Sequence, residues 1–333
     1  MPYFETSDLR FNSHQLLEPL IELAKQRGIH PDKALKGTKV FYKDFKAQGH
    51  LSSYEELEQI ITNISKHELS QDISFVLGQH LLHNLCAKYA SYLFHCIDLK
   101  ALLVACKQLE NDLFPYFSTR ILREQQAIHL LINPAVSEPS SCTYQFFLEV
   151  WLSLVSGFIN WRFCELEIQI QLPYATPRHL EHYHVMHTSK LSFGHRTCAV
   201  VINKNMLHTR QRDAVEALQS NLTSLQPCLS MGFLSYAEAF LIQYPKACLE
   251  DLANHFMVSE ATMKRKLKQH NSQFSGLRDR VLSQQAAFCI QQQGYSNAQV
   301  AKALAFNDLP NFRRTFKRWF GVTPSELRKT LKV

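Results

Sequence analysis

Apolar residues recur along this chain mostly at helical spacing, and alternate at period two in only a few places. The first helix is predicted from His14 to Arg27, where Leu16, Leu17, Leu20, Ile21 and Ala24 share one face and Gly28 stops it. Ser53 and Glu56 form a capping box that starts a helix carrying Leu57, Ile60, Ile61 and Ile64. Two more helices follow, one carrying Phe75, Val76, Leu77 and Leu81. The other is capped by Asp98 and carries Leu99, Leu102, Leu103, Cys106 and Leu109. Tyr116–Leu122 and Ala127–Ile132 read as paired strands across a polar turn, and Thr143–Trp161 as the most apolar helix. In Glu165–Leu172, strict alternation puts Leu166, Ile168, Ile170 and Leu172 on one face of a strand. Tyr183–Met186 starts a polar helix, and Leu191–Phe193 and Cys198–Ile202 form two more strands around a turn at Gly194. Residues 210–230 are polar with one apolar stripe, which predicts a helix leading into a connector, with Pro227 at the boundary.

The last hundred residues change character. A supporting helix carries Leu249, Leu252 and Ala253, a turn falls at Phe256-Met257-Val258, and Ser259 caps the next helix. A small residue at 253 suits two helices that cross closely. The capped helix turns Met263 and Leu267 inward and Thr262, Lys264, Arg265, Lys266 and Lys268 mostly outward. The same layout returns with Val300, Ala301 and Leu304, a turn at Ala305-Phe306, and a helix capped by Asp308 with Pro310 in its first turn. Phe312, Thr315, Phe316 and Trp319 back that helix, Arg313, Arg314, Lys317 and Arg318 flank it, and Gly321 closes it. Between the two units a long amphipathic helix carries Phe274, Leu277, Val281, Leu282, Ala286, Cys289 and Ile290. The expected fold is mostly α with a smaller β component. It comprises an α+β domain over 1–210, a linker over 211–231, and an all-α domain over 232–333 of two helix-turn-helix units joined by a long helix.

Composition sharpens this division. The chain of 333 residues is long for one domain and 46% apolar, enough for a core in each of two. Residues 231–333 hold 15 Lys/Arg against 7 Asp/Glu, whereas residues 1–230 hold 21 against 22. The whole excess of positive charge (+7 overall) thus lies in the last third, which marks it as the polyanion-binding part. The absence of a long apolar run and of a basic-then-apolar leader predicts a cytoplasmic protein without membrane contact. Nine cysteines, an odd number with no C-x-x-C pair, fit reduced thiols.

Phe312, Arg314, Phe316, Lys317, Arg318, Trp319, Phe320, Gly321, Thr323, Pro324, Ser325 and Arg328 together resemble the signature of AraC/XylS-type bacterial transcription regulators. The resemblance covers about residues 232–331. It implies base contacts from Ala261, Lys264 and Arg265 in the first unit and from Leu309, Asn311, Arg313 and Arg314 in the second. It implies phosphate contacts from Lys268, Lys317 and Arg318. Reading helices roughly 34 Å apart, one duplex turn, would reach two successive major grooves. The chain departs from the family pattern at Met257 and Ala305, where Gly is usual, at Asn271, and at Leu282, where Arg is expected and Arg280 lies two positions earlier. More loosely, the order of elements before residue 210 resembles the mixed α/β, arabinose-binding-type sensor domain of one AraC subgroup. Implied partners are double-stranded promoter DNA, RNA polymerase, an unknown small-molecule effector and a second copy of the chain, with activation as the outcome. No cofactor and no enzymatic activity are implied.

Other readings compete for particular residues. Phe146, Phe147, Trp151 and Trp161 either line an effector pocket or pack the core. His179, His182, His184 and His187 have spacing that a metal ion could use, or are simply part of a histidine-rich chain of 16. Cys86, Cys96 and Cys106 are either redox sensors or small buried hydrophobes. A Cys-based alkyl-transfer repair protein carrying the same DNA-binding module would need clustered cysteines, and these are scattered. No phosphate-binding Gly loop, nucleophile elbow or paired-carboxylate signature occurs.

Overall fold

The computed structural model of the chain describes residues 2–46, 49–87, 89–123, 126–163, 166–186, 190–220, 225, 227–291 and 294–330. Strand β1 (Tyr3–Phe4) and β2 (Phe11–Asn12) precede helix α1 (Ser13–Gln26), whose Asn12 cap accepts the His14 N–H. After β3 (Leu51–Ser52), α2 (Tyr54–Ile64) starts on the predicted capping box, with Ser53 and Glu56 each accepting the other's backbone N–H. Helices α3 (Ile73–Ala87) and α4 (Leu99–Gln108) follow, the second capped by Asp98 as expected. Strands β4 (Phe117–Arg123) and β5 (Ala127–Pro134) lead into α5 (Ser141–Arg162). Then come β6 (Ile168–Gln171), α6 (Leu180–Met186), β7 (Lys190–Ser192) and β8 (Cys198–Asn203).

The five longer strands form one sheet in the order β4-β5-β8-β6-β7. The β4–β5 hairpin is antiparallel, with Ile121 opposite Leu130, and β8 pairs antiparallel with both β5 and β6. The two strands expected around Gly194 do not pair with each other. β7 runs parallel to β6, and β8 inserts between β6 and β5, so Gly194 (φ +76°) turns the chain between non-adjacent strands. The alternation read in 165–172 holds, since Leu166, Ile168, Ile170 and Leu172 are all buried.

Helix α5 is long and apolar enough to cross a membrane by length and composition, yet it is the core helix of this half. Leu148, Val150 and Leu152 are buried on successive faces of it. It also buries Glu149, whose carboxylate accepts from Ser74 Oγ (2.6 Å), Gln145 Nε2 (2.8 Å) and the Tyr183 hydroxyl.

The helix predicted from residue 210 is absent through residue 220. That stretch is largely extended, with one 3-10 turn at Glu216–Leu218. Its backbone is claimed by long-range bonds instead: Gln211 N–H donates to Ile97 O (3.1 Å) and Arg212 N–H to Arg162 O (2.7 Å). Residues 221–224 lie outside the described residues.

The chain then enters β9 (Met231–Gly232), which pairs in parallel with β1, so the first strand of the protein fastens the start of the carboxyl-terminal part. Helices α7 (Phe233–Gln243), α8 (Leu249–His255), α9 (Glu260–Gln269), α10 (Phe274–Gln291), α11 (Asn297–Ala303), α12 (Leu309–Phe320) and α13 (Pro324–Thr330) complete the fold. Tyr3 crosses over to pack on Phe233, Tyr236 and Phe256, with ring centroids 4.8–5.8 Å apart.

At Gly232 a Cβ would lie 2.3 Å from the Ala135 carbonyl oxygen, and that oxygen also accepts the Ser235 N–H at 2.9 Å. Backbone meets backbone there, with no flexible side chain to yield. Gly232→Ala is expected to destabilise the protein by about 1–3 kcal/mol through overpacking, seen as a lower urea midpoint in equilibrium unfolding.

Candidate nucleic-acid interface

Two small apolar cores carry the interface, and α10 belongs to both. Its first half gives Leu277 and Val281 to a cluster with Leu252, Ala253, Met263 and Leu267. Its second half gives Leu282, Ala286, Cys289 and Ile290 to a cluster with Val300, Ala301, Phe312, Phe316 and Trp319. Leu282, where the family pattern has Arg, is thus a core residue of the second unit, 4% exposed.

In the first unit α8 and α9 are joined through Phe256-Met257-Val258, and Ser259 caps α9 by accepting the Thr262 N–H at 3.2 Å. In the second, α11 and α12 are joined through Ala305, and Asp308 caps α12 by accepting the Asn311 N–H. The residues that depart from glycine sit where a left-handed backbone is required: Met257 at φ +55°, Ala305 at +60° and Asn271 at +52°. Gly321 closes α12 at φ +73°. Two local devices escaped the sequence reading. Ser296 and Gln299 form a capping box on α11, and Arg328 reaches back from α13 to Tyr295 O and Asn297 Oδ1.

The outward faces are basic and polar. Ala261, Lys264, Arg265 and Lys268 on α9 are exposed, as are Asn311, Arg313, Arg314, Lys317 and Arg318 on α12, while Leu309 is half-buried. Behind them Phe312 and Phe316 are fully buried. Among the described residues, Arg265, Lys268, Arg313, Arg314 and Lys317 have no ion-pair partner. Lys264 lies 3.7 Å from Glu260, and Arg318 lies 2.9 Å from Asp279 of α10. Lys266, expected mostly outward, turns back instead to pair with Glu5.

This domain is docked on the amino-terminal part through α10 and the loop before it. Arg280 pairs with Glu238 of α7 and with Glu138, which precedes α5. Burial alone would lower the Arg280 pKa, but the two carboxylates outweigh it and raise it, so the guanidinium stays charged. Arg120 of β4 donates to Val281 O (3.0 Å) and Gln284 Oε1 (3.3 Å). His270 is buried against the Phe233 ring, its Nδ1–H donating to Val136 O at 2.7 Å. Burial lowers its pKa, which keeps the ring neutral.

The aromatic quartet read as a possible pocket does not converge. Phe147 stacks on Tyr116 and Tyr54, Phe146 is buried in the core, and Trp161 stands 47% exposed against Phe94. Trp151 alone of the four lines an apolar cavity of about 180 Å³ between α4, α5 and the sheet.

His179 and His182 have ring centroids 6.3 Å apart, with His182 against Phe75. His187 and the His184 side chain lie outside the described residues. No group of three His, Cys, Asp or Glu side chains that could hold a metal occurs among the described residues. Burial pushes the Cys96 thiol up to about 11 and Cys198 to about 12, so both stay protonated and unreactive. Cys106 is half-buried on α4 at the cavity wall, and the Cys86 side chain lies outside the described residues.

Two helix-turn-helix units on one rigid helix, each presenting a basic outer helix, define the class of a tandem helix-turn-helix DNA-binding domain. Comparison with known proteins agrees, since residues 252–330 match the family described as a helix-turn-helix domain. Over 76 residues the chain is 30% identical to uncharacterized HTH-type transcriptional regulators from Mycobacterium bovis and Mycobacterium tuberculosis. That stretch is 23% of this chain and 22% of each relative's own length. The transcriptional regulator CdpR from Pseudomonas aeruginosa aligns over 94% of this chain and 97% of its own, at 16% identity and a TM-score of 0.45. A DNA-binding transcriptional dual regulator from Escherichia coli K-12 aligns over 30% of this chain and 91% of its own, at 21% identity and a TM-score of 0.29. Residues 252–330 are an AraC-type helix-turn-helix domain.

Two outcomes follow from the geometry that holds the interface. Ala305→Gly relieves a left-handed alanine and is expected to raise stability by about 1 kcal/mol, read from the denaturant midpoint. Arg280→Ala strands Glu238 as an unpaired buried carboxylate. It is expected to cost about 3–5 kcal/mol, measured in the same assay.

Proposed function

We propose that this protein is a sequence-specific DNA-binding transcription regulator of the AraC type, acting as an activator from the cytoplasm. Residues 232–333 bind promoter DNA, residues 211–231 connect, and residues 1–210 sense a small-molecule effector or mediate contact with a second copy. The observation that carries this reading is the pairing of opposite faces on α12. Phe312, Phe316 and Trp319 are locked in a core, while Arg313, Arg314 and Lys317 stand exposed and unpaired among the described residues. Such a helix presents a fixed row of donors to a polyanion.

In this assignment Ala261, Lys264 and Arg265 face bases from the first unit, and Leu309, Asn311, Arg313 and Arg314 from the second. Arginine suits the paired acceptors of guanine and asparagine those of adenine, each good pair giving about 1–3 kcal/mol of discrimination. Lys268, Lys317 and Arg318 supply phosphate contacts. Arg318 would exchange its bond to Asp279 for a phosphate, a substitution of one anionic acceptor for another. Effector binding alters how the two halves, or two copies, are disposed. That changes DNA occupancy and the recruitment of RNA polymerase, by as much as the effector's affinities for the two arrangements differ.

The test is a pair of gel-shift titrations on duplexes that the protein selects from a random pool. Arg314→Ala is expected to relax sequence preference at one base pair, at a cost of about 1–3 kcal/mol. Lys317→Ala should instead weaken all duplexes alike and reduce the salt slope by about one. Negligible loss in both variants would show that the basic face is only solvated.

A further inference from the structure

The sheet of the amino-terminal half is a wall one strand thick between an apolar cavity and the DNA-binding domain. On its inner face Ile121, Leu130, Val200 and Ile202 line the cavity of about 180 Å³ closed by α4 and α5. On its outer face Leu122, Leu131 and Ala199 border α10 beside Ser283 and Gln284. Period-two alternation makes neighbours in sequence face opposite compartments. Thr119 and Ile121 face the cavity, whereas Arg120 between them holds Val281 O and Gln284 Oε1. Asn133 repeats the grip from β5, accepting from Gln284 Nε2 at 2.8 Å.

We propose that this cavity binds a compact, uncharged, apolar molecule about the size of a substituted benzene ring, and that β4 and β5 transmit its occupancy to α10. The proposal rests on the reading of residues 1–210 as effector-sensing and narrows that effector to a chemical class.

Size sets the first limit. An apolar protein cavity of roughly 150 Å³ stays dry and accepts benzene, so about 180 Å³ holds one ring with a small substituent. Charge sets the second. The charged and hydroxyl-bearing side chains in the lining are Lys107, Glu110 and Thr119, and they pair with one another. Lys107 Nζ donates to Glu110 Oε1 (2.6 Å) and Thr119 O (2.7 Å). Glu110 Oε2 accepts from Thr119 N (3.1 Å) and Thr119 Oγ1 (2.6 Å). With the one cation and the one carboxylate already paired with each other, an ionised ligand would lose its hydration without an opposite charge to replace it. Transmission follows from where Arg120 holds α10. Val281 belongs to the core of the first reading unit and Leu282, the next residue, to that of the second. A displacement of β4 therefore acts on the junction between them.

The probe is toluene, added to the full chain. Saturating toluene is expected to raise Tm by about 2–4 °C or more and to change the affinity for selected duplex DNA by about fivefold or more. Val155→Phe fills the cavity and should abolish the Tm rise. Should that variant fail to fold, Phe158→Ala enlarges the cavity and should extend binding to naphthalene. Arg120→Met should keep the Tm rise and lose the effect on DNA. Absence of a Tm rise in the unaltered protein, or an equal rise in folded Val155→Phe, would overturn the binding site. A cavity-dependent Tm rise with unchanged DNA affinity would overturn the transmission. Failure to bind DNA without toluene would count against the regulator reading alone, because the Tm readout does not involve DNA.

Discussion

Everything the carboxyl-terminal half presents to a partner is fixed by the division of one helix between two cores. Leu277 and Val281 are buried with the first helix-turn-helix unit, and Leu282, Ala286, Cys289 and Ile290 with the second. Each unit alone is small, and neither of its outer helices has an apolar face large enough to fold by itself. Sharing α10 gives each unit part of a longer rigid rod, and the rod sets the separation and the rotation of α9 relative to α12. The aromatic backing of α12 matters for the same reason. With Phe312 and Phe316 immobilised, the exposed arginines start from a restricted set of positions, and less side-chain freedom remains to be lost on binding.

The rod is also the part that the amino-terminal half holds. Arg280 is pinned between Glu238 and Glu138, and from the sheet Arg120 reaches Val281 O while Asn133 holds the Gln284 side chain. These are buried charged and polar contacts. Such contacts add little net stability compared with apolar packing, but breaking one leaves its partner stranded. They define one docked arrangement sharply and penalise alternatives. An interface built this way suits two discrete states better than continuous deformation.

Much of this was legible in the sequence because it is local. Caps at Ser53, Asp98, Ser259 and Asp308, the stop at Gly321, and the inward residues of both units are all consequences of short-range spacing. The turn positions Met257 and Ala305 could be read as left-handed because a helix-turn-helix needs that backbone there. Apart from the Ser296–Gln299 capping box, most of what escaped was long-range. The stretch after residue 210 has the stripe of a helix, but its backbone groups go to Ile97 and Arg162, and tertiary pairing overrides propensity. Lys266 reads as a solvated cation until Glu5, more than 250 positions away, is brought beside it. The aromatic quartet of α5 reads as a unit, yet the helix distributes it around its circumference, and the cavity is lined from four strands and both α4 and α5, which no single window contains.

The parallel pairing of β1 with β9 has a consequence for how this molecule can be divided. Tyr3 sits among Phe233, Tyr236 and Phe256, so a ring from the opening residues completes the hydrophobic interior of the first reading unit. A fragment cut at residue 232 would carry that interior with one aromatic missing and its edge open to water. Covalent boundaries and physical boundaries therefore fall in different places: the aromatic interior of the first helix-turn-helix unit includes a ring from the other half of the polypeptide.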